Sequence, residues 1–207
     1  MKSGTWTDLG EVMHSREDKD DFNAIDPDLV DDNGLKLSFG SYGAGIFQID
    51  IGPDINKASS STPGNHLSGG NGRPAEGGIT FKPDESPYWF HLFSEGVTPL
   101  KGSKSARPSA GKEYKVLVGR AENSTGPFVG KLGHPLTEDR DPATGSLVLG
   151  SHDNVYAPGG QSLFKDPVSG RYVMCYHYVP ANASLGSPSY LGLNYVDFSS
   201  GWPVIVD

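Results

Sequence analysis

This chain of 207 residues has a single cysteine, and that scarcity already removes several possibilities. Cys175 lies inside the apolar run Tyr172-Val173-Met174-Cys175-Tyr176, so an internal disulfide and a cysteine-ligated metal are both excluded and a packed thiol is expected. Long hydrophobic runs are lacking as well. None approaches the length of a membrane span, and the start Met1-Lys2-Ser3-Gly4-Thr5-Trp6 has no apolar stretch of the kind that forms a secretory signal. Positive charge is short, with 17 Lys and Arg against 25 Asp and Glu and a formal net charge of -8. Nucleic acids and anionic membranes select basic surfaces, so neither is expected as a partner, whereas a neutral polymer is compatible. Helical periodicity is hard to find anywhere.

What the chain has in excess is turn-forming residues. Gly 28 and Pro 16 make roughly a fifth of the sequence, against about an eighth on average. Short apolar runs flanked by Gly, Pro, Asn and Asp recur from Leu29 onward, which predicts an all-β chain. Aromatic-rich runs such as Tyr88-Trp89-Phe90-His91-Leu92-Phe93 supply a core.

The strand pattern repeats three times. Leu29-Val30, the turn Asp31-Asp32-Asn33-Gly34, Leu35 to Gly40 and Ile46 to Ile51 make the first unit. Ile79-Thr80-Phe81, Lys82 to Ser86, Tyr88 to Ser94 and Tyr114 to Val118 make the second. Ser162-Leu163-Phe164, Asp166 to Gly170, Arg171 to Tyr178 and Leu191 to Val196 make the third. Repeated up-and-down sheets are the blades of a β-propeller, and residues 1–207 are read as one partial propeller domain, with a sandwich as the alternative. Between the repeats lie Ser-, Gly- and Pro-rich inserts, Asn56 to Arg73 and Thr98 to Gly111, expected as surface loops.

Two lone acids fall at equivalent points of this repeat. Asp26 lies in Asn23-Ala24-Ile25-Asp26-Pro27 and Glu76 in Ala75-Glu76-Gly77, and the turn Pro158-Gly159-Gly160-Gln161 holds the third such point. The inner strand of a blade begins beside the channel, so the three points converge there. Two carboxylates delivered to one site are what glycosidic bond cleavage requires.

These residues resemble the arabinan-degrading branch of glycoside hydrolase family 43, in particular its fungal-type endo-arabinanases. The resemblance is carried, in order, by Trp6-Thr7-Asp8-Leu9-Gly10, Phe22 to Pro27, Leu37-Ser38-Phe39-Gly40-Ser41, Ala75-Glu76-Gly77, Val118-Gly119-Arg120-Ala121 with Thr125-Gly126-Pro127-Phe128, and Gly201-Trp202-Pro203-Val204. It implies a five-bladed propeller hydrolase that inverts at the anomeric carbon, acts on plant cell-wall arabinan and works outside the cell. By position, Glu76 matches the general acid and Asp26 the acid that positions and tunes it. A proton donor must stay protonated near working pH, and a neighbouring negative charge favours that.

The resemblance also implies departures. The chain is expected to begin near the third blade, to lack the first blades and with them the general base, and so to be impaired in turnover. Asp8 and the cluster Glu17-Asp18-Lys19-Asp20-Asp21 read as exposed turns rather than as that base. Relatives carry a His at the Pro158-Gly159-Gly160-Gln161 turn that helps hold a channel metal. Gly160 stands there in this chain, so calcium is not expected and no cofactor is assigned. Arg120, His177 and Gln161 are candidate substrate contacts, each with a plain structural role as the alternative. His91, His134 and His152 show no zinc spacing. An exo-acting arabinofuranosidase or β-xylosidase of the same family is the nearest alternative function, and a non-catalytic carbohydrate-binding remnant is the alternative from another class.

Overall fold

A computed structural model describes residues 4, 6–53, 55, 58, 61–99, 107–184 and 187–207. The expected loops Asn56 to Arg73 and Thr98 to Gly111 therefore fall partly outside the described residues. Among the described residues twelve strands form three four-stranded sheets. The first holds β1 (Asp28–Asp31), β2 (Leu35–Phe39), β3 (Ile46–Asp50) and β4 (Asn65–Ser68). The second holds β5 (Ala75–Phe81), β6 (Trp89–Glu95), β7 (Lys115–Ala121) and β8 (Ser146–Leu149). The third holds β9 (Val155–Lys165), β10 (Tyr172–Pro180), β11 (Tyr190–Asp197) and β12 (Val204–Val206).

Within each sheet the strands lie in chain order and every neighbouring pair is antiparallel. The first strands of consecutive sheets touch, β1 against β5 and β5 against β9. The sheets are thus consecutive blades of a β-propeller with β1, β5 and β9 innermost. The sequence repeat located three strands of each blade. It missed the outermost ones, β4, β8 and β12, because runs of three or four residues such as Asn65-His66-Leu67-Ser68 are too short to show a period.

A local device recurs at three points, two residues ahead of β1 and inside β5 and β9. Asp26 has φ 56°, Gly77 φ 57° and Gly160 φ 59°, all in the left-handed region. Asp tolerates that region better than most residues with a Cβ, and Gly is indifferent to it. Register shifts follow the latter two, between Glu76 and Ile79 and around His177 opposite Gly159. Bulges of this kind re-aim side chains.

Blade-on-blade packing supplies the core. Ile46 and Leu67 of the first blade meet Ala75, Phe93, Leu117, Phe128 and Leu136 of the second. On its other face, Phe90, Leu92, Val116, Val118 and Leu149 meet Tyr172, Met174, Tyr176 and Val196 of the third. Each such large side chain taken fully from water contributes about 1.5–3 kcal/mol. Phe22 caps the first blade with Phe39, Phe47 and Ile49.

The seam between the first two blades has a polar centre. His91, fully buried, bridges Thr80 Oγ at 3.1 Å and Ser68 Oγ at 3.0 Å, and the Thr80 amide donates to Asp28 Oδ2 at 2.8 Å. Burial pulls the His91 pKa down to about 3 and pushes Asp28 up to about 6, the Thr80 amide opposing the latter. Gly78 is required here, because a Cβ would lie 2.8 Å from Ile46 Cγ2 and 2.9 Å from His91 Cε1. A buried Arg73–Glu95 pair at 2.5 Å ties the start of the second blade to its own rim, with Arg73 also donating to the carbonyls of Leu136 and Glu138.

Candidate functional site

The three equivalent points lie together, although Pro158 to Gln161, read from the sequence as a turn, is a bulged stretch inside β9. Asp26 Oδ2 accepts from the amide of Gly77 at 3.2 Å, so the carboxylate of the first blade is fastened to the peptide that follows Glu76. Gln161, from the third blade, donates to the carbonyl of the same Gly77 at 2.8 Å. Gly77 is thereby held from both sides, with its φ in the left-handed region. The Glu76 carboxylate is half-buried and occupied at each oxygen. Ser41, which follows β2, donates to Oε1 at 2.9 Å, and Tyr114, which precedes β7, donates to Oε2 at 2.9 Å.

Both hydroxyl donors are themselves fixed. Ser41 is buried, and its carbonyl accepts from Asn23 Nδ2 at 2.5 Å, while the neighbouring Gly40 amide donates to the carbonyl of Ile25. The loop carrying Asp26 is thus sewn to the end of β2. Tyr114 is buried and stacks on His177 with ring centroids 5.7 Å apart and planes 18° from parallel. A Cβ on Gly159 would lie 2.2 Å from the Tyr114 ring, so only glycine lets β9 pass there. Burial first, and the Glu76 charge beside it, push the Tyr114 hydroxyl far above the ordinary tyrosine range. It remains a permanent donor.

His177 is half-buried, with its pKa lowered by burial and partly restored by Glu76. Neither ring nitrogen has a hydrogen-bond partner among the described residues, and the ring sits in front of Gly160. At Gly160, with φ 59° and His177 Cδ2 2.6 Å from where a Cβ would stand, a side chain would be strained and would need the His177 ring to move. The histidine at this place comes from β10. Among the described residues no group of three or more His, Cys, Asp or Glu could share a metal ion.

Two expected substrate contacts are otherwise engaged. Gln161 is buried, with Oε1 accepting from Ser94 Oγ at 2.7 Å and Nε2 spent on Gly77, so its amide supports the site from behind. Arg120 lies four residues along β7 from Val116, the partner of Ser94, roughly 13 Å of strand away. Its guanidinium is sandwiched between Tyr88 at 4.2 Å and Trp202 at 4.5 Å and donates to the carbonyl of Gly201 at 2.7 Å. It pins the second blade to the third, and its charge and its spacing from Glu76 gave no sign of that partner. Ser41 and Tyr114 were missed because a serine after a strand and a tyrosine in an apolar run carry no periodic signal.

Asp8 is exposed and accepts from the Gly10 amide at 2.8 Å. Asp20 is bonded to the Arg16 amide and side chain, with its pKa lowered chiefly by that backbone bond. These acids serve their own turns.

The protein of Aspergillus terreus described as a probable arabinan endo-1,5-alpha-L-arabinosidase A is 39% identical over 207 residues, covering 99% of this chain and 59% of that protein. The arabinan endo-1,5-alpha-L-arabinosidase A of Aspergillus aculeatus is 37% identical, covering 99% and 62%. Among solved structures, the GH43 endo-arabinanase from Bacillus licheniformis superimposes with a TM-score of 0.76 at 27% identity over 98% of this chain and 63% of that one. The chain spans about three-fifths of the length of the curated relatives it matches. No family profile matches it.

Proposed function

We propose that the chain belongs to glycoside hydrolase family 43, on its 37–39% identity to two arabinan endo-1,5-alpha-L-arabinosidases and its likeness to a GH43 endo-arabinanase, and that it carries the acid side of a site cleaving α-1,5-linked L-arabinan with inversion. The observation that carries this reading is Glu76 held at both oxygens by Ser41 and Tyr114, with Asp26 fastened to the very next peptide amide. Glu76 acts as general acid and Asp26 positions and tunes it. As the glycosidic bond breaks, the proton on Glu76 passes to the leaving oxygen, which takes the bonding electron pair, and a water attacks the anomeric carbon from the opposite side. Its own surplus proton leaves to a base, which in inverting enzymes stands about 6.5–9.5 Å from the acid. His177, with both ring nitrogens unpartnered among the described residues, contacts a sugar hydroxyl beside Glu76.

We assign the base to none of the described carboxylates, so turnover by this chain alone is weak. The test is reducing-sugar release from debranched arabinan by the pure chain beside Glu76→Gln. General acid–base help is worth on the order of 10²–10⁴ in rate. Turnover that this substitution leaves untouched overturns the assignment of Glu76. Products from linear arabinan decide between endo and exo action. Oligosaccharide binding without any turnover would favour a binding remnant.

A polysaccharide of the plant cell wall is met outside the cell, and we propose that the protein acts there. Among the described residues no helix is long and apolar enough to cross a membrane. Calcium is proposed to be dispensable on the donor set alone, one imidazole beside carboxylates already engaged, and unchanged melting in EDTA and in added calcium is the expected result.

A further inference from the structure

We propose that Tyr114 and Ser41 sort the two oxygens of Glu76, so that Oε2 is the unprotonated oxygen and Oε1 is the one that carries and delivers the proton. The inference rests on the reading of Glu76 as general acid and says which atom does the work.

A protonated carboxyl has one acceptor-only carbonyl oxygen and one hydroxyl. Tyr114 Oη lies 2.9 Å from Oε2. Burial and the adjacent Glu76 charge keep this hydroxyl protonated throughout the working range, so it approaches Oε2 as a donor. Its ring is fixed by His177 on one side and by the backbone at Gly159 on the other. An oxygen facing a locked donor is the one disfavoured as the site of a proton.

Ser41 differs in kind. Its hydroxyl, 2.9 Å from Oε1, can rotate to donate or to accept. It accepts from Oε1–H while Glu76 is protonated and donates to Oε1 once the proton has gone. In the transfer the Oε1–H bond breaks, the glycosidic oxygen gains the proton together with the electron pair of its broken C–O bond, and the new carboxylate is left with one donor on each oxygen. Solvent returns the proton afterwards.

Tyr114 is thus a positioning residue. Two measurements on the whole chain test this, each with Tyr114→Phe, Ser41→Ala and Glu76→Gln. Phe keeps the ring stacked on His177 and removes only the hydroxyl. The first is infrared spectroscopy in acid, where the carbonyl band of protonated Glu76 is isolated by difference from Glu76→Gln. Loss of its donor should move this band to higher frequency in Tyr114→Phe and leave it in place in Ser41→Ala. A band that moves in Ser41→Ala, or in neither variant, overturns the proposal whether or not the chain turns over.

The second measurement compares arabino-oligosaccharide with 2,4-dinitrophenyl α-L-arabinofuranoside, whose leaving group needs no proton. Tyr114→Phe should lose about 10-fold or more on the first and less than about 2-fold on the second, as a fraction of the general-acid effect. Equal losses would mark a merely structural tyrosine. Failure of the reading of Glu76 itself looks different. There Glu76→Gln would match the unaltered chain on both substrates while the carbonyl band still moved in Tyr114→Phe.

Discussion

The second and third blades share strand order and the left-handed turn into the channel, yet they meet their surroundings in opposite ways. In the second, β6 is buried along nearly its whole length, Phe90 to Glu95, with the first blade on one face and the third on the other. In the third, β11 alternates, so that Gly192 and Val196 face inward while Leu191 is 72% exposed and Leu193 60%. Phe164 and Val204 lie open on the same sheet. Both strands are apolar, and what separates them is whether a neighbouring sheet covers each face. Glu76 is carried by the doubly covered blade, and His177 and Gln161 reach it from the singly covered one. The acid stands on the stiffer support.

The largest test of this comparison is a pair of truncations. Phe93 is wholly buried between the first two blades, and Phe93→Ala should cost about 3–5 kcal/mol through lost burial and a cavity. Leu193→Ala on the open face should change stability by no more than about 0.5 kcal/mol. Urea unfolding of both variants gives the numbers. Similar costs would mean that the third blade's outer face is covered by something in solution.

A smaller effect separates the two seams by pH. The seam of the first and second blades holds Asp28 and His91, whereas that of the second and third is built from apolar groups and from Tyr172 and Tyr176, whose pKa values burial raises further above 10. Asp28 rises from 3.8 to about 6 on folding, so its contribution is fully present below 3.8 and is lost as pH climbs through 6. His91 falls from 6.5 to about 3, so its contribution is present above 6.5 and is lost as pH drops toward 3. Asp28→Asn keeps an acceptor for the Thr80 amide and removes the half-buried charge. It should stabilise by about 1–2 kcal/mol at pH 7 and by almost nothing near pH 3.5. Urea melts across this range check it, and equal gains at both ends would remove Asp28 as the cause.

Much of this was legible in the chain. Three strands of each blade, the propeller and the convergence of Asp26 and Glu76 follow from period-two runs and from equivalent points in a repeat. The remainder depends on what a side chain meets across blades. Arg120 reads as a candidate substrate contact with a structural role as the alternative, and its partner Trp202 is 82 positions further on, with no local mark. Gln161 reads as a candidate substrate contact, yet its amide is spent on Ser94 and on the Gly77 carbonyl of another blade. Gly160 reads as a lost ligand, and the sequence carries no sign that the ring of His177 from β10 stands in front of it. Ser41 and Tyr114 touch Glu76 only because three separate loops meet, and pairings of that kind leave no spacing to read.

The smallest expected effect on stability, and the last test of the comparison, concerns the open face itself. Leu191 and Leu193 on β11, Val204 on the neighbouring β12 and Phe164 on β9 are exposed on this sheet, where Arg171 also lies over Tyr195 at 3.3 Å and exposed Asp197 stands opposite Val204. Exposed apolar side chains gathered on one sheet favour association, and a net charge of -8 opposes it only at long range and less as salt rises. The chain should therefore self-associate at high concentration and more so in salt. Leu191→Lys with Leu193→Lys places two cations on the face, and since neither side chain is packed, stability should move by no more than about 0.5 kcal/mol. Sedimentation at several protein and salt concentrations should show the double variant monomeric where the parent is not. A parent that stays monomeric throughout would show that exposure on this blade has no consequence for association, and the contrast with the second blade would then be one of packing alone.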